Sequence, residues 1–208
     1  MNELEVTVVR TGTANLASVV AGLKRVGATP RLSEDREEVE NAGLLVLPGV
    51  GTLAAAMERL HASGLVESLR ERIKQGRPTM AVCLGLQMLC ETSEESPGLE
   101  GLGVVPGHVT RFPKGLRVPQ LGWNSIVPDK GAELLREGYV YFANSYCLRE
   151  APDGWIAAMS DYGGPFVAAL ERGPVLACQF HPELSSTFGS ELISRWLEAT
   201  KKAGGDSC

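Results

Sequence analysis

Three short stretches carry residues whose types and spacing can do chemistry. In "TMAVCLGLQM" (Thr79–Met88), Cys83 falls between a buried-looking β run and a helical pattern, with Gly85 two residues later. A nucleophile at a sharp strand-to-helix turn is the arrangement of the G-x-S-x-G elbow, here with Ala81 at the first glycine and sulfur in place of a hydroxyl. A thiol at a helix N-terminus meets the positive end of the dipole, which favours the nucleophilic thiolate. Taken alone, Cys83 reads equally well as a small buried core residue. In "QFHPE" (Gln179–Glu183), Pro182 biases His181 toward an extended backbone, so His181 and Glu183 at i and i+2 can share a face. A carboxylate beside an imidazole fixes its tautomer and supports its charged form, the orienting role in a nucleophile–base–acid triad. Alone, the pair reads first as a strand-end histidine beside a solvated glutamate. In "PGVGT" (Pro48–Thr52), glycines after an apolar strand bare backbone N–H groups that can stabilise an oxyanion, although an isolated loop of this kind is usually an ordinary βα turn.

The elements that must position these residues follow from the apolar pattern. "EVTVV" (Glu5–Val9) is a β-branched run, and Leu16, Val19, Val20, Leu23 and Val26 fall at helical spacing behind a potential N-cap, Asn15. "GLLVLPGVG" (Gly43–Gly51) and "PTMAV" (Pro78–Val82) are fully apolar strands, and Leu65, Val66, Leu69 and Ile73 mark a helix between them. Apolar strands alternating with helices predict an open, mostly parallel sheet covered on both sides. Beyond about residue 100 short β-rich runs follow one another: "GVVPGHVTRF", "YVYFANSYCL", "GWIAAMS", "PFVAALE" and "PVLACQF". These predict additional antiparallel strands in the C-terminal half, as an appended sheet plus the last strand of the main one. Leu192, Ile193, Trp196 and Leu197 form the apolar face of a closing helix, with "KKAGGDSC" expected to fray. The expectation is a single α/β domain over residues 1–208. In such sheets, ligands bind at loops beyond the strands' carboxyl ends, where all three chemical stretches fall.

Composition narrows the function classes. The chain has 208 residues, 44% hydrophobic and 22% charged, with a formal net charge of −5. No dense Lys/Arg cluster suits a nucleic-acid backbone, and no apolar stretch approaches a membrane span. "MNELEVTVVR" carries acid where a signal peptide needs base. The five cysteines, Cys83, Cys90, Cys147, Cys178 and Cys208, form no CxxC pair, and the three histidines are scattered. Reduced thiols in the cytoplasm, with no metal and no cofactor, are expected.

The order PGVG, VCLGLQML, QFHPE, with a helix closing the chain, resembles the class I, triad-type glutamine amidotransferases over essentially the whole sequence. Within that family, "ANLASV", "PGVGT", "VPQLGWN" (Val118–Asn124), "YFANSY" (Tyr141–Tyr146) and "DYGGPFVAAL" (Asp161–Leu170) resemble the subfamily of glutaminase subunits serving imidazole glycerol phosphate synthase. The resemblance implies a Cys83–His181–Glu183 triad hydrolysing L-glutamine to glutamate and ammonia. It implies an oxyanion hole from the N–H groups of Gly49, Val50 and Leu84, and glutamine contacts from Gly51, Gln87, Glu95, Ser145 and Tyr146. It further implies a (β/α)8-barrel cyclase as heterodimer partner, reached through an interface or tunnel at Asn15, Gln120, Trp123 and Asn144. The partner would turn the ammonia into imidazole glycerol phosphate and an aminoimidazole carboxamide ribotide in histidine biosynthesis, and a mobile PGVG loop would couple the two sites. The sequence departs from the subfamily pattern at Ala14 (glycine is usual), Gln120 and Asn144 (histidine), Leu121 (methionine) and Leu184 (lysine). The alternatives are a glutaminase serving another class I synthase, a hydrolase with the same triad but another amide substrate, and a non-catalytic binding protein on the same scaffold.

Overall fold

The computed structural model describes residues 4–12 and 15–205; Ala14 and Cys208 lie outside them. The first half alternates as the apolar pattern requires: β1 (Leu4–Val9), α1 (Leu16–Arg25), β2 (Ala28–Ser33), α2 (Arg36–Asn41), β3 (Leu45–Gly49), α3 (Leu53–Ala62), α4 (Val66–Lys74), β4 (Thr79–Cys83) and α5 (Leu84–Leu89). Polar side chains start three of the helices by accepting a backbone N–H from the first turn: Asn15 from Ser18, Asp35 from Glu38 and Thr52 from Ala55. The second half adds β5 (Cys90–Ser93), β6 (Val105–Arg111), β7 (Gln120–Pro128), β8 (Gly138–Asn144), β9 (Tyr146–Leu148), β10 (Ile156–Asp161), β11 (Pro165–Arg172) and β12 (Val175–Cys178). A short 3-10 turn, Pro182–Leu184, leads into α6 (Ser186–Gly205).

Nine strands form one mixed sheet in the order β2-β1-β3-β4-β12-β11-β10-β7-β8. Pairing is parallel from β2 to β12 and antiparallel from β12 to β8. Every residue of β3, β4 and β12 is buried, which explains their unbroken apolar runs. Helices cover both faces. One core layer joins Leu53, Met57, Leu60, Leu69, Ile73 and Leu86 of α3–α5; the other joins Val19, Leu23, Leu192, Ile193 and Trp196 of α1 and α6.

One expectation needs correction. The late antiparallel strands mostly continue the main sheet; the separate sheet is a small one, β5-β6-β9, in which β5 and β6 run parallel. "YVYFANSYCL" is therefore two strands in two sheets, broken at Ser145. At the C-terminus the α6 backbone continues to Gly205, and 206–208 lie outside the described residues. No described helix is long and apolar enough to cross a membrane.

Candidate active site

The register of the sheet brings two of the three sequence stretches together. Gly49, the last residue of β3, pairs with Cys83, the last of β4, while Cys178 of β12 pairs with Val82 one step before it. Cys83 adopts φ 56° and ψ −110°, a left-handed backbone that non-glycine residues seldom take and that costs about 1–3 kcal/mol. The turn can be this tight because its neighbours lack side chains. A Cβ on Gly85 would stand 2.2 Å from the Leu47 carbonyl oxygen, and one on Gly49 would stand 2.9 Å from the Leu84 Cβ. The PGVG loop is held from below as well, since the buried Thr11 hydroxyl donates to the Pro48 carbonyl at 3.1 Å.

His181 and Glu183 share a face as their spacing predicts, with Nδ1 to Oε1 at 2.9 Å and both side chains buried. Cys83 lines the same cavity as the ring and is a second group that favours its charged form. Burial alone would lower the imidazole pKa. The hydrogen bond to Glu183 and the proximity of Cys83, with the charges of both, outweigh it and push His181 up to about 10 from its ordinary 6.5. Folded His181 thus keeps a proton that an unfolded histidine has lost between those values. That contribution to stability is full below pH 6.5 and disappears as pH rises to about 10. Glu183→Gln removes one of the raising partners. It is expected to bring the His181 titration, followed by ring 15N shifts, down toward 6.5 and to flatten the alkaline loss of stability. An unmoved titration would count against the pairing. The other buried cysteines behave differently. Burial pushes the Cys90 thiol up to about 12, Cys147 up to about 11 and Cys178 well above its ordinary value, so they remain core thiols.

The three stretches open on one cavity of about 340 Å³. Its lining includes Val50, Gly51, Cys83, Leu84, Gln87, Glu95, Ser145, Tyr146, Asn144 and His181. Gly49 lies just behind this wall, under Leu84. Glu95 lines the cavity while accepting the Leu53 N–H at the start of α3, at 2.7 Å. Gln87 is more committed than its sequence position suggests: its amide nitrogen donates to the Tyr146 carbonyl at 3.1 Å and to Gln179 Oε1 at 2.9 Å. The four residues expected at an interface or tunnel separate. Asn15 caps α1, and Trp123 is exposed on β7. Gln120 and Asn144, partners in register, are both buried, and each keeps a carbonyl oxygen with no hydrogen-bond partner. Sequence reasoning passed over Pro119 and Ala143, which also line the cavity, and Gln179, which reaches the sulfur from behind. Only Gln179 had a signal, as a polar residue ending an otherwise apolar strand run. No described group of His, Cys, Asp and Glu side chains is placed to hold a metal.

Comparison with known proteins gives the chain's family. The family described as glutamine amidotransferase class-I matches residues 4–199. The imidazole glycerol phosphate synthase subunit HisH of Methanothermobacter thermautotrophicus is 38% identical over 196 residues, covering 93% of this chain and 98% of that protein. The chloroplastic imidazole glycerol phosphate synthase hisHF of Arabidopsis thaliana is also 38% identical, over 199 residues, covering 92% of this chain and 34% of that longer protein. A solved structure described as a glutamine amidotransferase superposes with a TM-score of 0.76 at 23% identity, covering 94% of this chain and 98% of that one, a likeness of fold.

Proposed function

The chain belongs to the class I glutamine amidotransferase family, alongside the HisH subunits of imidazole glycerol phosphate synthase, and on that premise we propose that it hydrolyses L-glutamine and passes the ammonia to a cyclase partner. The observation that carries the chemistry is a buried His181–Glu183 pair whose histidine opens, together with Cys83, on one cavity. With its pKa raised, His181 holds a proton beside the sulfur. Cys83 sulfur attacks the side-chain amide carbon of glutamine, the carbonyl electrons move to oxygen, and the N–H groups of Leu84 and the Gly49–Val50 segment receive the oxyanion. Losing one such donor costs about 10²–10³ in rate. His181 gives its proton to the leaving nitrogen, which departs as ammonia, and Glu183 keeps the ring aligned. Water, deprotonated by His181, then cleaves the thioester to glutamate. Glu95 suits the substrate's α-ammonium, with Gly51, Gln87, Ser145 and Tyr146 around the remainder.

Ammonia protonates in water and loses its nucleophilicity, so direct transfer is an advantage. The partner we propose is a (β/α)8-barrel cyclase, with the whole chain acting as one amidotransferase domain in the cytoplasm. The β7–β8 hairpin offers the surface: Leu121, Trp123, Val127 and Tyr139 are more than half exposed on it, and Trp123 packs edge-to-face on Tyr141. This face lies one strand from the chemistry, since the Tyr141 carbonyl accepts the His181 N–H at 2.9 Å. The bare oxygens of Gln120 and Asn144 suit a small N–H donor such as ammonia in transit. Reorientation of the Gly49–Val50 peptide, against the Thr11 tether at Pro48, is the proposed link between partner and oxyanion hole.

The test is glutamine hydrolysis by the chain alone, with the cyclase, and with the cyclase plus its phosphoribulosyl nucleotide substrate. Stimulation by the liganded cyclase is expected, and its absence would refute the assignment. Trp123→Ala should weaken the complex about 30-fold, as removal of a central aromatic anchor does; an unchanged Kd would place the partner elsewhere.

A further inference from the structure

We propose that Gln179 is a positioning residue for Cys83, its side-chain N–H held against the sulfur by a chain of amides anchored on the Tyr146 carbonyl. The direction of the chain is fixed from its far end. A carbonyl oxygen only accepts, so Gln87 must turn its nitrogen toward Tyr146, at 3.1 Å. The second N–H of that nitrogen goes to Gln179 Oε1 at 2.9 Å. Gln179 is thereby turned with Nε2 toward Cys83 Sγ, at 3.9 Å. Reversing the Gln179 amide would set two N–H groups against each other and lose both bonds. The residue is fully buried, so no water competes for the sulfur from that side, and its own backbone N–H is fixed on Ala168 at 2.8 Å. Two groups therefore act on the sulfur: His181, whose charged form it favours and which can exchange a proton, and Gln179, which donates to it and cannot. A donor that cannot exchange a proton strengthens its bond as the sulfur becomes negative and competes for nothing in the later steps. The same chain gives Gln87 a second purpose: it orients Gln179, leaving only its own Oε1 for the cavity.

This rests on reading Cys83 as the nucleophile, but its test does not need glutamine. Gln179→Met keeps the length and removes the donor. Iodoacetamide alkylation of Cys83, followed by mass spectrometry of its peptide, is expected to slow about tenfold at pH 7, the scale of one hydrogen bond to a charged group. Its rate–pH profile should move to higher pH. In glutamine hydrolysis kcat should fall about tenfold while KM changes less than twofold. A variant that folds with unchanged alkylation and kcat overturns the proposal, as does a change confined to KM. Should Gln179→Met not fold, the unsubstituted chain decides: alkylating Cys83 must shift the Gln179 side-chain amide resonance, and an unmoved resonance overturns the proposal equally. If alkylation responds as expected but the chain hydrolyses no glutamine, the positioning role stands and the glutaminase reading is what fails.

Discussion

Cys83→Ala is expected to lower glutamine hydrolysis by about 10⁵-fold or more, the scale on which removal of a covalent nucleophile acts. The size of the loss follows from the division of labour. The oxyanion donors and His181 act on an intermediate that forms only when the sulfur attacks, so without it they retain only a small residual effect over water. Stability should change little, because alanine inherits the same left-handed backbone at φ 56° and the cavity wall loses only one sulfur. Thermal unfolding of the variant checks this and separates a chemical loss from a structural one. A second measurement separates hydrolysis from delivery: with ammonium salt supplied, the proposed complex of Cys83→Ala with the cyclase should still form product. Retained hydrolysis in Cys83→Ala would refute the mechanism; product lost even with added ammonium would instead point to a damaged complex.

Much of this arrangement was legible in the sequence because it depends on short-range rules. The parallel strands announce themselves as apolar runs, since β3 and β4 are buried on both faces. Their ends carry the PGVG loop and the elbow, and a parallel register places such ends side by side without further information. His181 and Glu183 needed only the extended backbone imposed by Pro182 to meet. Asn15 could be read as a cap because capping reaches no further than the first helical turn.

What escaped depends on partners distant in the chain. The break at Ser145 sends β8 and β9 to different sheets, and nothing local in "YFANSYCL" marks it. Gln87 and Gln179 are 92 residues apart, and the polarity of their amides is set by a third residue's carbonyl. Gln120 and Trp123 sit three residues apart on a strand, so the pleat sends them to opposite faces, and which of the two is buried depends on the face the core takes. The buried cysteines other than Cys83 differ from it in surroundings alone, which a residue name does not carry.

The second large effect is expected at a glycine that the sequence gives no reason to notice. Gly189, in the first turn of α6, packs so tightly on the His-Pro-Glu turn that a Cβ there would stand 1.8 Å from the Pro182 carbonyl oxygen and 2.7 Å from its carbon. Gly22 of α1 closes the same turn from the other side, where a Cβ would meet the Glu183 Cβ at 2.8 Å. Alanine is the better helix former by about 1 kcal/mol, so propensity favours Gly189→Ala. The clash opposes it and wins, because the obstructing atom is backbone and cannot rotate away. A net loss of about 3 kcal/mol is expected, at the upper end of overpacking costs, lowering Tm by roughly 6–12 °C in a chain of this size. Activity should fall further than the unfolded fraction explains, because relieving the clash moves Pro182 and with it Glu183, the residue that holds His181. Gly43→Ala supplies the control: nothing lies within 4 Å of its added Cβ, and stability should stay within about 0.5 kcal/mol. A Gly189→Ala chain that melts with the unsubstituted protein and keeps its kcat would show that the turn is not wedged and that Glu183 is held by other contacts.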